Sequence, residues 1–456
     1  MFTKENFKKL KSKVISIENN ESTGGILLLI CTVIAVALAS FPETRGFDAF
    51  WDKELGFAFE NKTLIMSLRS WVNNGLMAIF FFTVGLEIKR EMLVGQLSSF
   101  KKSILPVMAA LGGMIVPALI YAGFNWNHPE SIHGWGISMA TDIAFALGVL
   151  SVLGKRVPIS LKVFLTAFAI IDDLGAIVVL AIFYPSHDIH TIYLLYVLII
   201  FIILLLMNKI KVRHSIYYII LGVIMWYFMY RSGINATISG VLLAMAIPSK
   251  GITRDRAFSV KLESLLHKFK ESEAIEEITV KPVPKKLPDT AWEGNVLTNT
   301  DQQHIIYSMN RELGRVTPLM HQFEVRLQPI VNFIIMPLFA LTNAGVALDF
   351  SVFSSGIPAL SLGIFFGLLL GKPIGLFLFS FISIKLGFAA KPAGANWKQL
   401  FAVTIFGGIG FTMCIFINGL AFTDPALIDM GKISILIASA TASIAGILAM
   451  RLVTKK

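Results

Sequence analysis

The sequence has few charged residues and almost no cysteine. Only 15% of its 456 residues are Asp, Glu, Lys or Arg, whereas 55% are hydrophobic, and the mean hydropathy is +0.71. This balance excludes an ordinary water-soluble globular enzyme and predicts a polytopic membrane protein. Cys31 and Cys414 both lie in apolar runs, so no disulfide framework is predicted. The net charge of +11 is spread over alternating loops, which argues against a nucleic-acid-binding face.

Apolar runs of membrane-spanning length dominate the chain, and about twelve can be counted at roughly 20 residues each. The predicted spans are 22–41, 67–89, 103–124, 135–153, 159–184, 190–208, 214–231, 233–249, 327–348, 357–385, 399–421 and 430–450. The fourth and the eighth are marginal in length. The sequence therefore predicts an all-α fold of about twelve transmembrane helices.

Lysine and arginine are missing from three loops that alternate with basic ones. Residues 125–134, 185–190 and 423–430 contain neither, whereas the segment before the first span is rich in lysine. An even number of spans puts both termini on one side, and the positive-inside rule places that side in the cytoplasm. No cleavable signal peptide is apparent, because the N-terminal stretch is long and polar and the first apolar run is long enough to span.

The predicted organisation has five parts. They are a cytoplasmic N-terminal segment (1–21), transmembrane helices 1–8 (22–249), a cytoplasmic polar insert (250–326), transmembrane helices 9–12 (327–450) and a cytoplasmic C-terminus (451–456). Within the insert, Val260–Ile275 has the apolar spacing of an amphipathic helix and Ile305–Leu313 also has a helical pattern. Lys281–Pro288 is proline-rich and is predicted to be an extended linker. The insert is either a solvated loop packed on the membrane domain or a regulatory or oligomerisation element.

Two adjacent carboxylates, Asp172 and Asp173, lie in the middle of the apolar run 163–184. A charged side chain at the bilayer centre costs about 2.5–3.5 kcal/mol, so such residues usually face a polar cavity and handle cations or protons. Neighbours on a helix point about 100° apart, so the two carboxylates cannot share one environment. We therefore predict that one faces a water-filled cavity and the other meets a partner. A purely structural hydrogen-bonded pair is the alternative.

Two glycine-flanked segments are candidate broken helices. Thr141 and Asp142 lie in a span bracketed by glycines, and residues 406–412 (FGGIGFT) contain three more. A break exposes helix ends and unpaired backbone groups, and a carboxylate beside the positive ends would counter them. Capping without ion contact, and close helix packing through the glycines, are the alternatives. Each break lies in the middle of a three-span group, which suggests inverted repeats with the site between them.

Further charged residues lie in or beside the spans. Lys372 is surrounded by apolar residues in the tenth span, so its natural partner is an aspartate or the negative end of a broken helix, unless it snorkels to an interface. Glu87, Arg90 and Glu91 share a helical face at the cytoplasmic end of the second span. Glu324 lies at the entry to the ninth span and could face them. They form either a charged funnel mouth or a plain helix-end cluster. No histidines have a metal-ligand spacing.

Six strings of this sequence resemble the NhaA-type sodium/proton antiporters. They are MATDIAFALGVL, KVFLTAFAIIDDLGAI, FFFTVGLEIKRE, PLFALTNAGV, GKPIGLFLF and GGIGFTMCIFI. The resemblance covers nearly the whole chain except the insert, and TDIAFALG and IIDDLG are its most specific parts. It implies inverted-topology repeats in which two discontinuous helices cross at mid-membrane. It also implies a pH-regulated transporter that exports cytoplasmic Na⁺ or Li⁺ in electrogenic exchange for external protons, for sodium and pH homeostasis.

The resemblance also implies roles for individual residues. Asp173 would be the principal carrier of the cation and the proton, and Asp172 its partner, paired with Lys372. These two aspartates would bind Na⁺ transiently. Thr141 and Asp142 would complete the site where the broken spans cross. The family's cytoplasmic pH-responsive region corresponds to Glu87, Arg90, Glu91 and Glu324.

Three departures from the family's pattern bear on the pH response rather than on the transport site. Asn235 and Gln328 stand where the family has histidines, and Asn74 stands where the pattern often has an aspartate. The long insert before the ninth span is also unusual for the family.

The predicted partners are the transported ions Na⁺, Li⁺ and H⁺ and the lipid bilayer of a bacterial inner membrane. No cofactor, enzymatic reaction or nucleic acid is expected, and a homodimer is suggested by the family alone. The alternatives are a broken-helix symporter, another monovalent cation/proton exchanger, a cation channel and an intramembrane aspartyl protease. Absence of a GxGD string and presence of Lys372 count against the protease.

Overall fold

The computed structural model describes residues 21–41, 44, 46–59, 62–185, 189–251, 258–269, 300–347 and 356–454. The predicted linker Lys281–Pro288 and nearly all of the predicted N-terminal segment lie outside these residues. Both cysteines are free and buried, as expected from their apolar surroundings.

The described residues are mostly helical. In chain order the helices are α1 (Glu21–Ser40), α2 (Gly46–Trp51), α3 (Leu68–Leu93), α4 (Phe100–Asn125), α5 (Ile132–Met139, with 3₁₀ geometry), α6 (Ile143–Ser151), α7 (Ile159–Phe183), α8 (Thr191–Lys209), α9 (Ser215–Arg231), α10 (Ile238–Ala246), α11 (258–269), α12 (Thr300–Val316), α13 (Leu319–Asn343), α14 (Ala359–Lys385), α15 (Trp397–Gly408), α16 (Phe411–Ala421) and α17 (Pro425–Val453). A single 3₁₀ turn, Gly154–Arg156, lies between α6 and α7.

Within the described part of the chain, eight helices are long and apolar enough to cross a membrane, and ten spans result if each of two bent helix pairs counts as one. The protein is therefore an all-α polytopic membrane protein, as the composition predicts. The seventh and eighth predicted spans correspond to α9, with 17 residues, and α10, with nine, which are both shorter than this criterion. Helix α10 is short because residues 232–237 form turns before it begins.

The two bent pairs lie where the glycine-flanked segments predict interruptions. Helices α5 and α6 are separated by residues 140–142 and bent by 41°, and α15 and α16 are separated by residues 409–410 and bent by 45°. Three π-helical turns, which the sequence did not reveal, interrupt α3, α13 and α14. They are Trp71–Leu76, Val331–Ile335 and Gly367–Gly371. Such turns often occur at functional sites.

A β-hairpin precedes α3 and was not predicted. Strands β1 (Glu54–Phe59) and β2 (Lys62–Ser67) pair antiparallel, in a register that runs from Glu54 opposite Ser67 to Phe59 opposite Lys62. The Trp71 indole donates a hydrogen bond of 2.8 Å to the backbone carbonyl of Leu55, which ties the hairpin to α3.

Helices α4 and α14 approach each other closely through two facing glycines. A Cβ atom at Gly112 would overlap the carbonyl oxygen of Gly375, and a Cβ at Gly375 would overlap that of Gly112. The helices lie backbone to backbone here because neither residue has a side chain. This contact fixes α14, which carries Lys372, against the helix that precedes the first break.

The two described helices of the insert lie where the sequence predicts helices. Glu312 of α12 forms ion pairs with Lys261 of α11 at 3.0 Å and with Arg315 at 2.9 Å. The hydrogen bond from Lys261 is the main reason why the pKa of Glu312 lies below its ordinary value. This ion pair therefore joins α11 to α12.

Candidate ion-binding site

The two interruptions contact each other directly. The Asp142 amide, in the first break, donates a hydrogen bond of 2.8 Å to the Ile409 carbonyl in the second. The Thr141 hydroxyl donates one of 3.0 Å to the carbonyl of Gly407, near the end of α15. Backbone groups that a continuous helix would satisfy internally therefore find partners in the opposite break.

The Asp142 carboxylate caps the helices that follow both breaks. It accepts a hydrogen bond from the Phe145 amide of its own helix α6 at 3.0 Å, and from the Thr412 amide of α16 at 3.2 Å. The Thr412 hydroxyl donates to the same carboxylate. Negative charge is favourable at the N-terminus of a helix, and Asp142 supplies it to two. Asp142 thus supplies negative charge at the breaks, and its carboxylate oxygens accept hydrogen bonds from groups at the N-termini of α6 and α16.

Lys372 is completely buried and lies at the opposite, negative end of the first half-helix. Its ammonium is 2.8 Å from the Asp172 carboxylate, and both side chains have no exposed surface. The ammonium also donates to the Met139 carbonyl, at the end of α5. The Lys372 ammonium thus contacts both the Asp172 carboxylate and the C-terminal end of α5. The side chain is buried and does not extend to an interface.

Asp173, by contrast, lines a cavity. This cavity has a volume of about 150 Å³ and is bordered by Asp142 and, towards the C-terminal end of α3, by Glu87. Asp173 is 3% exposed, and its Oδ1 atom has no hydrogen-bond partner in the described residues. The two adjacent carboxylates therefore have the different environments that helical geometry requires. Oδ1 of Asp172 also has no partner in the described residues, but Asp173 is the aspartate of the two that lines the cavity. An unpaired buried oxygen is costly, so its position on the cavity makes Asp173 suited to binding a proton or a cation.

The predicted cluster of charged residues is assembled around one arginine. Arg90 lies 2.5 Å from Glu324, 3.3 Å from Glu91 and 3.9 Å from Glu87. Glu324 is on α13 and the other three residues are on α3, so the cluster joins the two helices that flank the cavity. Glu87 belongs to both the cluster and the cavity wall.

The three residues that depart from the family's pattern lie in different places. Asn235 accepts hydrogen bonds from the amide and the hydroxyl of Thr237 and so stabilises the turn before α10. Asn74 donates to Ser70 within α3, beside a second cavity of about 350 Å³. Gln328 lines the cavity that contains Asp173. Only Gln328 is therefore placed to act on an ion in that cavity.

Two contacts of the site were missed in the sequence. Thr412 lies in the glycine-rich string, but its bond to Asp142 depends on the fold. Cys414, which lies in an apolar run, donates from its Sγ to the carbonyl of Ile137 at 2.8 Å, another group near the end of α5. No group of three or more His, Cys, Asp or Glu side chains in the described ranges could hold a metal ion.

Comparison with known proteins agrees with this geometry. The sequence model of the family described as Na⁺/H⁺ antiporter 1 matches residues 16–450. The chain is 42% identical over 447 residues to the Na⁺/H⁺ antiporter NhaA 2 of Helicobacter hepaticus, covering 98% of this chain and 96% of the relative. It is 42% identical over 454 residues to NhaA 2 of Clostridium beijerinckii, covering 98% and 97%. It is also 41% identical over 457 residues to an NhaA of Helicobacter pylori, covering 99% of both chains.

Proposed function

The chain belongs to the Na⁺/H⁺ antiporter 1 family, and we propose that it exports cytoplasmic Na⁺ or Li⁺ in electrogenic, pH-regulated exchange for external protons, serving sodium and pH homeostasis. The observation that supports this proposal is the position of Asp173 on a cavity that reaches Glu87, with one carboxylate oxygen that has no hydrogen-bond partner among the described residues. Relatives over nearly the full length are named as antiporters, which favours transport over an enzymatic reaction.

In this proposal Asp173 is the carrier. A cation reaching it from the cytoplasm displaces a proton, and the loaded site then reopens to the outside, where protons displace the cation. Both ligands need the same carboxylate oxygens, so they compete. Asp172 is part of the same site. Its ion pair with Lys372 stabilises the negative charge of the Asp172 carboxylate when Asp173 is neutral.

Thr141 and Asp142 have a supporting role. They hold the breaks together through Gly407 and Ile409, and Asp142 also borders the cavity. Glu87, Arg90, Glu91 and Glu324 form the cytoplasmic mouth, where we place the response to pH.

We further propose twelve spans arranged as inverted repeats, with the two broken spans crossing at mid-membrane. The hydrogen bond between Asp142 and Ile409 supports the crossing, since it joins the two breaks. The mutual contact of Gly112 and Gly375 supports the repeats, because these residues lie in the third and tenth spans, the first members of the two three-span groups.

The remaining parts of the proposal concern the membrane. Both termini and the insert 250–326 are placed in the cytoplasm of a bacterial cell, with the protein in the inner membrane, because basic loops alternate with loops that lack Lys and Arg. A homodimer is proposed from the family resemblance.

The experiment is a cation-induced pH change in energised inside-out vesicles that contain the protein, with a potential-sensitive dye in parallel. We expect Na⁺ and Li⁺, but not K⁺, to release protons from the vesicles and to lower the membrane potential. Net charge movement follows if more protons than cations move, and each charge is then driven by about 2.3 kcal/mol per 100 mV. Cation flux without proton movement would indicate a channel and would refute the proposal.

A further inference from the structure

The wall of the cavity between Glu87 and Asp173 carries neutral polar side chains. Thr83 of α3, Thr166 of α7, and Gln328 and Asn332 of α13 all line it. Thr83 is one helical turn deeper than Glu87, and Thr166 is two turns from Asp173 on the same face of α7. Polar groups therefore continue from the charged mouth to the carboxylate.

Each of the two threonine hydroxyls donates its one hydrogen to a backbone carbonyl. The Thr83 hydroxyl donates to the carbonyl of Ile79 at 3.1 Å, and that of Thr166 to the carbonyl of Lys162 at 3.0 Å. A hydroxyl that donates its one hydrogen to the backbone has only lone pairs left for a further ligand. These oxygens are therefore acceptors, suited to a cation rather than to an anion.

The two amides have no protein partner. Among the residues that the structure describes, neither Gln328 nor Asn332 forms a side-chain hydrogen bond. Glu324, Gln328 and Asn332 follow one another at intervals of four residues, so α13 presents a polar line that runs inward from the mouth.

The position of Asn332 is defined by its surroundings. Asn332 lies in the π-helical turn Val331–Ile335. A Cβ atom added at Gly24 of α1 would be 3.2 Å from the Cβ of Asn332. A glycine at position 24 leaves room for this side chain at the cavity wall. The amide thus lies between α1 and the cavity, and its oxygen has no partner in the part of the chain that the structure describes.

We propose that Asn332, together with Gln328 and Thr83, forms a weak cation site that Na⁺ or Li⁺ occupies before it reaches Asp173, and that Asn332 determines affinity and selectivity there. Small hard cations prefer oxygen ligands, and neutral oxygens can replace hydration water without trapping the ion. This inference rests on the proposed antiport, and it assigns that function an additional site.

The test is the KM and the maximal rate of cation-induced proton release in vesicles, at one fixed alkaline pH. Asn332→Ala should raise the KM for Na⁺ about fivefold, as expected for one lost polar contact, with a maximal rate close to wild type. The KM for Li⁺ should rise more, since a smaller ion gives up its hydration less readily. Asn332→Asp, which keeps the shape and adds charge, should lower the KM for both ions.

The matched control is Ile334→Ala, a residue of the same π-helical turn whose side chain is 57% exposed and points away from the cavity wall. It should leave both kinetic constants unchanged. An unchanged KM in Asn332→Ala, or an equal rise of KM in Ile334→Ala, would overturn the proposed site but leave antiport intact. Absence of any Na⁺ response in the wild-type vesicles would instead refute the antiport proposal. Loss of maximal rate at constant KM in both Asn332 variants would show a structural role and would also overturn the site.

Discussion

Removal of the Lys372 ammonium should strongly destabilise the protein, and removal of its partner should largely restore stability. In Lys372→Met, the Asp172 carboxylate loses its partner at 2.8 Å. Neither side chain of this pair has any exposed surface. The Met139 carbonyl loses its donor as well. Breaking a buried ion pair by removing one partner costs about 3–5 kcal/mol, whereas replacing both partners by neutral groups of similar volume is often neutral or stabilising.

The assay is thermal unfolding of the detergent-solubilised protein in a double-mutant cycle. We expect Lys372→Met to lower Tm markedly and the double variant Asp172→Asn, Lys372→Met to regain most of the loss. Asp429→Asn is the matched control, because Asp429 pairs with Lys432 at 3.4 Å but its side chain is 56% exposed. The Asp429 carboxylate is solvated, and the buried Lys432 ammonium keeps a hydrogen bond of 3.3 Å to the Gly345 carbonyl. Loss of this half-exposed pair should cost about 0–1 kcal/mol, so the variant should change Tm little. Additive losses in the double variant would refute the reasoning, because they would show no coupling between the two charges.

Three further predictions follow from other contacts. Gly375→Ala should lower Tm and the yield of folded protein because its Cβ meets the facing backbone of α4, whereas Gly419→Ala, with no atom within 4 Å of the added Cβ, should not. Thr412→Val should destabilise by about 1–3 kcal/mol, because it leaves a buried carboxylate without its hydroxyl donor, and thermal unfolding with Thr412→Ser as the conservative control measures this. The lowered pKa of Glu312 means that its pairing with Lys261 stabilises the insert above the ordinary glutamate pKa and is lost as pH falls through the lowered value. The protection factors for hydrogen exchange of residues 258–269, which are corrected for the intrinsic effect of pH on exchange, should therefore fall in acid, and Glu312→Gln should remove this pH dependence.

Features that depend on local chemistry were predictable from the sequence. The cost of charge in a membrane identified Asp172, Asp173 and Lys372, and the 100° step of a helix required the two aspartates to face different surroundings. Glycines beside Asp142 indicated the first break, and those before Thr412 indicated the second.

Features that depend on contacts distant in sequence were not predictable. The bond between Thr412 and Asp142 joins residues 270 positions apart, and no local pattern reports it. The π-helical turns follow no local sequence pattern. The position of Asn332 in the cavity wall could therefore not be predicted from the sequence either. The hairpin before α3 was missed because its short strands lie in a loop between predicted spans. Two helices of the insert, 258–269 and Thr300–Val316, lie where the sequence has helical patterns, since such patterns are local.

In the proposed mechanism, the Asp173 carboxylate carries both the proton and the cation. The most direct test of this role is Na⁺-induced proton release in inside-out vesicles containing wild-type protein, Asp173→Asn or the exposed-carboxylate control Asp429→Asn, at matched amounts of folded protein. We expect wild type and Asp429→Asn to respond alike and Asp173→Asn to give no response at any Na⁺ concentration. Exchange by Asp173→Asn at a rate close to wild type would contradict the account.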